Sequence, residues 1–196
     1  MSELKNLPEV DAVAPLEELD AAVADVLVPH AEHGAIRFLG AVSDLSDQEP
    51  IYAGSAAMLA TAALMRDGPT WRAGTRILAA HLLATGLRGI VKHLVDRTRP
   101  EAAVRLGRYV LREGQKHESD FNSFPSGHTA GAVAVALAVS REYPGGRVPA
   151  LGLAALAGVA QVVRSKHYVT DVVAGAVIGW SAETLIDGLI RKAQRV

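Results

Sequence analysis

The stretch FPSGHTAGAVAVALAVS, residues 124–140, decides how the chain is read. Pro125, Ser126, Gly127 and His128 stand at the mouth of a run of small and apolar side chains. Beyond them its only polar members are Thr129 and Ser140. Ser126 is a preferred N-cap residue, so a helix is predicted to follow it, and Gly127 lets another backbone or a ligand come close. The first-turn N–H groups of Gly127, His128 and Thr129 then point outward, unpaired, at the positive end of the helix dipole. That is an anion site. His128 beside it can hold or deliver a proton near neutral pH. Taken alone, the stretch also fits an ordinary capped helix with an incidental histidine.

Two further stretches carry chemistry. In KHLVDRTRP, residues 92–100, Lys92 and Arg99 lie nearly two helical turns apart, so both can project from one face before Pro100 ends the helix. Arginine supplies a planar fork suited to phosphate, lysine a point charge. In AQVVRSKHYVTDVVAG, residues 160–175, helical spacing puts Arg164, His167 and Asp171 on one face. Asp171 is expected to accept from the His167 ring N–H, fixing its tautomer and freeing the other nitrogen as a nucleophile. A solvated basic helix end and an exposed Asp–His pair are the alternatives for these two stretches taken singly.

The surroundings bound the fold. The chain has 196 residues, suited to one domain, with 49% apolar residues but only 5% aromatic. Alanine, valine, leucine and glycine dominate, which favours closely packed helices over a sheet core. Net charge is −1, so no global field points to nucleic acid. There is no cysteine, hence no disulfide framework and no thiolate metal site. The start, MSELKNLPEVDAVAPLEELDAA, lacks the basic and apolar regions of a secretory signal, so an exported, cleaved soluble enzyme is not expected.

Residues 1–50 are acidic, with Lys5 and Arg37 as their only lysine or arginine, and residues 15–43 read as an amphipathic helix interrupted near Pro29. Five apolar segments follow: 51–65, 76–88 with a polar continuation to 97, the quoted one, 148–163 and 172–190. None alone is comfortably the ~20 residues of a membrane span, and a soluble bundle is the alternative. The short connections 66–76 and 141–147 and the tail 191–195 are basic, however. If all five segments cross, these three share a face, as the positive-inside rule asks of the cytoplasmic side. The remaining loops, near 44–50, 98–125 and 164–168, then fall together on the other face.

In order and spacing, the three chemical stretches resemble the type 2 phosphatidic acid phosphatase (PAP2) superfamily, in particular its bacterial membrane lipid phosphatases. The superfamily also includes bacterial acid phosphatases and vanadium haloperoxidases. Its pattern is Lys-x6-Arg-Pro, then Pro-Ser-Gly-His, then Ser-Arg-x5-His-x3-Asp. Lys92, Arg99 and Pro100 match the first block, Pro125 to His128 the second, and His167 and Asp171 the third. The resemblance covers roughly residues 85–180. It departs where Ala160 and Gln161 replace Ser-Arg, since glutamine supplies no charge. Arg164, one turn on, is expected to bring its guanidinium into the same pocket.

The resemblance implies an all-α fold: a phosphatase-like bundle of about five core, transmembrane helices over 51–196, preceded by the amphipathic segment 1–50. It implies a phosphohydrolase without metal or other cofactor, releasing phosphate from a lipid phosphate or polyprenyl diphosphate. His167 would be the nucleophile, Asp171 its orienter and His128 the acid. Lys92, Arg99, Ser126, Gly127 and Arg164 would hold the phosphate. No HExxH-like pair or carboxylate cluster at ligand spacing is visible, so metal catalysis is not expected. The expected location is the inner membrane, multi-pass, with the site facing the non-cytoplasmic side. The partners are the membrane and its lipid phosphate, and oligomeric state is open. A soluble acid phosphatase, a vanadate-dependent oxidase and a non-catalytic phosphate or lipid binder are the other readings. Outside these blocks, His81 is expected to hydrogen-bond between helices, and His93 and His117 to be incidental. Arg105, Arg108, Arg112 and Lys116 of the long 99–124 connection either recognise an anionic headgroup or are solvated.

Overall fold

The computed structural model describes residues 15–114 and 119–195. Helix α1 (Pro15–Leu27) gives way to a 3-10 turn, Val28–His30, and α2 (Gly34–Ser43) resumes after it. Pro29 in that turn has no N–H and obstructs the preceding turn, so the amphipathic segment breaks where its sequence indicates. Two long helices follow, α3 (Gln48–Met65) and α4 (Gly68–Leu94). Between α4 and the next long helix lie β1 (Val95–Arg97), the short α5 (Pro100–Leu106) and β2 (Leu111–Glu113). Three more helices complete the chain: α6 (Gly127–Glu142), α7 (Arg147–Val163) and α8 (Val169–Ala193).

The five long helices coincide with the five apolar segments. The all-helical expectation needs one addition. Strands β1 and β2 pair antiparallel, Val95 with Glu113, Asp96 with Arg112 and Arg97 with Leu111. Three residues per strand are too few for alternation to stand out in a sequence. The ribbon ties part of the long connection to the end of α4.

Helix α6 is the centre of the bundle, packing against α4, α7 and α8. Among the described residues the buried apolar core is alanine apart from Val110, Phe121 and Tyr168. Ala80 and Ala84 of α4 meet Ala134 and Ala138 of α6 and Ala182 of α8. A second cluster joins Ala132 and Ala136 to Ala154 and Ala157 of α7. The large aliphatics lie outside: Ile90, Leu153, Val159, Val177 and Leu189 are all more than half exposed. A water-soluble core has the reverse distribution, whereas helices packing in lipid approach through small residues. Two stretches, Pro144–Val163 and Val169–Ala193, are long and apolar enough to cross a bilayer by length and composition. The first has 20 residues, which as helix spans about 30 Å, the thickness of a hydrocarbon core.

The end of the bundle formed by the start of α4 and the last turns of α6 and α8 is locked by charge. Arg76 donates to Glu142 at 2.8 Å, to Asp187 at 2.9 Å and to Glu183 at 3.3 Å. Arg141 and Arg191 approach the same acids from the rim. Three helices are thereby pinned at one end, leaving the other free to carry a cavity.

Close packing makes a test. A Cβ on Gly179 would lie 2.3 Å from the Ala130 carbonyl oxygen, whereas one on Gly86 would meet nothing within 4 Å. Gly179→Ala is expected to destabilise the protein by about 1–3 kcal/mol by forcing α6 and α8 apart. Gly86→Ala should stabilise it by up to about 1 kcal/mol by favouring helix. Thermal unfolding in detergent reads both, and the opposite order would contradict this packing.

Candidate active site

The other end of the bundle gathers the start of α6, the start of α8 and the end of α4. Ser126 caps α6, its hydroxyl accepting from the Thr129 N–H at 3.4 Å and lying 2.9 Å from Thr129 Oγ1. Ser126 is wholly buried, so its hydroxyl serves the cap and does not line the cavity. Its own N–H donates to the Asp171 backbone carbonyl at 3.0 Å, joining the starts of α6 and α8.

His167 lies in the turn between α7 and α8. Arg164 closes α7, Ser165 takes a left-handed φ of 54°, and the Lys166 and His167 N–H groups both donate to the Gln161 carbonyl. Residues 164, 167 and 171 therefore do not share one helix face, because the helix stops between them. The His167 Nδ1 lies 2.6 Å from the Ser123 carbonyl oxygen. A carbonyl can only accept, so Nδ1 carries the proton and Nε2 keeps its lone pair. Burial holds the His167 imidazole below its ordinary pKa, against the pull of nearby Asp171.

The expected direct Asp171–His167 hydrogen bond is replaced by a relay. The Asp171 carboxylate is 3.8 Å from Nδ1 and instead accepts from Ser123 Oγ at 2.5 Å and the Tyr168 N–H at 2.8 Å. Its other oxygen accepts from Arg97 at 2.7 Å. Arg97 also donates to Asp20 of α1 at 2.9 Å, to Thr170 at 2.7 Å and to Tyr109 at 3.1 Å, and lies 4.1 Å from the Tyr168 ring centre. Burial opposes the Arg97 charge, but the Asp171 and Asp20 partners outweigh it and raise its pKa. Burial pushes the Tyr109 hydroxyl up to about 12, so it stays protonated. Asp171 thus holds the segment that holds His167, and α1 closes the network from outside.

A cavity of about 210 Å³ opens here, lined by Arg88, Arg99, His128, Gln161, Arg164 and His167 among others. Gly127 and the first turn of α6 form part of its wall. Arg99 is held by its N–H donating to the Asp120 carbonyl at 2.8 Å. Lys92 does not line the cavity but lies within electrostatic reach of Arg88 and Arg99. Arg164 lines the cavity, but its guanidinium is engaged by Asp44 at 2.7 Å and the Gly40 carbonyl at 3.3 Å. Lys166 is held by Glu101 at 2.6 Å and 2.7 Å. His128 Nε2 lies 3.0 Å from Asp47 and 3.5 Å from Asp44, within ion-pair distance but without the alignment of a hydrogen bond. The ligand atoms of Asp44, Asp47 and His128 fall within 4.8 Å of one another, so among the described residues this trio could hold a cation, a grouping that linear spacing conceals.

Some residues differ from expectation. His81, expected to hydrogen-bond between helices, is buried with neither ring nitrogen finding a partner among the described residues. It packs edge-on against Tyr52 and lines the cavity. His93 is exposed. Arg105 and Arg112 pair within the connection, with Asp120 at 2.7 Å and Asp96 at 3.6 Å, while Lys116 and His117 lie outside the described residues. Arg88 was not anticipated. Its signal is its place one helical turn before Lys92 on the same face of α4.

Among the described residues, Arg88 and Arg99 form no salt bridge and lie with two histidines at a cavity on the N-terminus of α6, within a helical bundle. The chain belongs to the PAP2 superfamily, whose family model matches residues 73–194. It is 34% identical over 80 residues to the lipid A 1-phosphatase of Porphyromonas gingivalis, covering 39% of this chain and 18% of that one. It is 32% identical over 93 residues to the lipid A 1-phosphatase of Rhizobium johnstonii, covering 47% and 38%. The matches thus span less than half the length of these curated relatives. The fold is similar to the transmembrane PAP2 type phosphatidylglycerolphosphate phosphatase from Bacillus subtilis, with a TM-score of 0.71 at 21% identity over 97% of this chain and 91% of that one. Aquifex aeolicus LpxE is similar with a TM-score of 0.62 at 20% identity, covering 90% and 97%.

The Arg97 network predicts a stability effect. Arg97→Met leaves Asp20 and Asp171 buried without their counter-charge and should cost about 3–5 kcal/mol. Thermal unfolding in detergent measures it. A loss below about 1 kcal/mol, as for an exposed pair, would mean the network does not hold the site.

Proposed function

We propose that the protein is a membrane-embedded phosphohydrolase that removes phosphate from a lipid phosphate or polyprenyl diphosphate through a phosphohistidine on His167. The observation that carries this reading is the fixed His167 ring: the Ser123 carbonyl accepts a hydrogen bond from Nδ1–H, and Nε2 is left with its lone pair. It stands beside a cavity in which Arg88 and Arg99 form no salt bridge among the described residues. Nε2 attacks phosphorus in line, forming a P–N bond as the bond to the leaving oxygen breaks. His128 gives that oxygen its proton. Water then attacks phosphorus as the P–N bond breaks, and His128 takes a proton from that water, which restores its protonated form for the next turnover. Arg99, supported by Lys92, and the Gly127 N–H hold the equatorial oxygens, where the transition-state charge collects. Ser126 contributes by capping α6, and Arg164 is engaged by Asp44 at the cavity wall. Asp171 is a positioning residue acting through Ser123.

A lipid substrate is supported by what adjoins the cavity. An apolar groove of about 480 Å³ runs between α2, α6 and α7, lined by Leu39, Val42, Val135, Val139, Leu153 and Leu156 among others. Ser46 lies on both groove and cavity, so a hydrocarbon tail could occupy one while its phosphate occupies the other. The exposed aliphatic belt supports a multi-pass chain in the inner membrane. The basic connections at the Arg76 end then face the cytoplasm and the cavity opens on the opposite side.

Phosphate release by detergent-purified protein, with EDTA present, tests the chemistry on phosphatidic acid, a polyprenyl diphosphate and a soluble phosphate ester. Release is expected from the lipid substrates, undiminished by EDTA and abolished in His167→Ala. Preference for the soluble ester would favour an acid phosphatase, and loss with EDTA would overturn metal independence. Neutral His167 is the attacking form and its pKa is lowered, so kcat/KM should persist as pH falls through about 6.5, the ordinary imidazole value. A decline centred at or above that value would contradict this assignment.

Orientation is tested separately, using the absence of cysteine. Ser119→Cys, at the cavity end, should react with a membrane-impermeant maleimide in intact spheroplasts. Gly145→Cys, in the opposite connection, should react only after lysis. The reverse pattern would invert the topology.

A further inference from the structure

Gln161 stands where the PAP2 pattern has an arginine, and its amide is committed elsewhere. It is 1% exposed and its Nε2 donates to Ser43 Oγ at 2.9 Å, fastening α7 to α2. Arg164 is taken by Asp44. The α7 wall of the cavity therefore offers the phosphoryl group no free guanidinium.

We propose that Arg88 supplies that charge from the α4 wall, binding the non-bridging oxygens of the phosphoryl group directly. Arg88 lines the cavity, and its guanidinium lies against Gly127. A Cβ added to Gly127 would come within 2.9 Å of both Cζ and Nε of Arg88. The guanidinium is thus placed at the N-terminus of α6, where the helix presents its unpaired N–H groups. A fork and a helix dipole converge on one point.

The other buried arginines serve as internal controls. Arg97 has Asp20 and Asp171, and Arg76 has Glu142, Glu183 and Asp187. Among the described residues Arg88 forms no salt bridge, its Nε is buried without a hydrogen-bond partner, and its charged neighbours include Arg99 and Lys92. Asp47 acts on it only from beyond salt-bridge distance. Gathering like charges away from water is unfavourable unless an anion joins them. A tetrahedral dianion with several acceptor oxygens fits that requirement, and an arginine fork can hold two of them.

The inference takes its substrate from the phosphohydrolase reading, so the test separates anion binding from turnover. Inorganic phosphate and orthovanadate binding would be measured by calorimetry on wild type, Arg88→Ala, Arg88→Lys and Arg88→Ala/Gln161→Arg, with kcat/KM measured in parallel. Arg88→Ala is expected to weaken anion binding by about tenfold or more and to lower kcat/KM by about 10²–10³-fold. Arg88→Lys should recover part of both. Restoring an arginine on the other wall, in Arg88→Ala/Gln161→Arg, should raise kcat/KM at least about tenfold over Arg88→Ala, which a merely structural role for Arg88 would not produce.

Anion affinity within about twofold of wild type in Arg88→Ala, or no anion binding by the wild type at all, overturns the inference. So does a folded double variant with no recovery. If Arg88→Ala does not fold, Arg88→Lys and Gly127→Ala decide, the latter by displacing the guanidinium. Weakened affinity at an unchanged melting temperature in both supports the assignment, and wild-type affinity in both removes it. Anion binding that depends on Arg88 in a protein that hydrolyses none of the substrates would sustain the Arg88 site while refuting the phosphohydrolase.

Discussion

The site depends on how closely α8 lies against the start of α6. A Cβ at Gly175 would sit 2.5 Å from the Ser126 carbonyl oxygen, and one at Gly179 would sit 2.3 Å from that of Ala130. Two glycines one turn apart on α8 thus let two backbones touch where side chains would hold them apart. The Ser126 N–H closes the contact by donating to the Asp171 carbonyl. Both helices consequently begin at the same end of the bundle with their positive dipole ends together. His128 follows one start and His167 precedes the other, so fixing the two starts brings both rings to one cavity. The same contact places the Asp171 carboxylate beside Ser123, whose carbonyl sets the His167 tautomer.

Charge is distributed by the same geometry. Buried arginines with several acids, Arg76 at one end and Arg97 at the other, cross-link helices and cancel their own fields. Such clusters hold the scaffold, since removing any member strands a buried charge. Arg88, Lys92 and Arg99 form the opposite arrangement, cations lying near one another with no salt bridge to a carboxylate among the described residues. That cluster is stable only because the bundle is held by its other contacts. The paired clusters thus hold the scaffold around a group of cations that is electrostatically unsatisfied.

Much of this was legible in the chain. The five long helices follow the apolar segments, and the break at Pro29 and the start of α6 after Ser126 are marked by residues whose local preferences agree with the fold. Local signals failed where tertiary contacts decide. Arg164, His167 and Asp171 have helical spacing, yet the chain leaves the helix at Ser165, whose positive φ no motif announces. Ser123 lies 44 positions from His167, so spacing could not identify it as the acceptor that replaces Asp171. The Asp44, Asp47 and His128 group and the Arg97–Asp20 pair likewise join segments distant in sequence. Arg88 was visible one turn from Lys92, but it gains meaning only when α6 brings Gly127 beneath its guanidinium.

A motif lists residues by their order in the chain, whereas a phosphoryl group responds to where charge lies in space. The α7 wall and the end of α4 border the same cavity, so a guanidinium can reach its interior from either helix. Moving the charge to α4 changes what α7 is free to do. Gln161, relieved of a charge, can be buried and can fasten α7 to α2 through Ser43, which a desolvated arginine there could not do without an acid of its own. The demand also falls on Gly127, because a guanidinium arriving from α4 must cross the start of α6 where a side chain would stand. Relocating one charge therefore has consequences on three helices. The substitution at 161, the arginine at 88 and the bare backbone at 127 form one physical arrangement, although they belong to different stretches of the sequence.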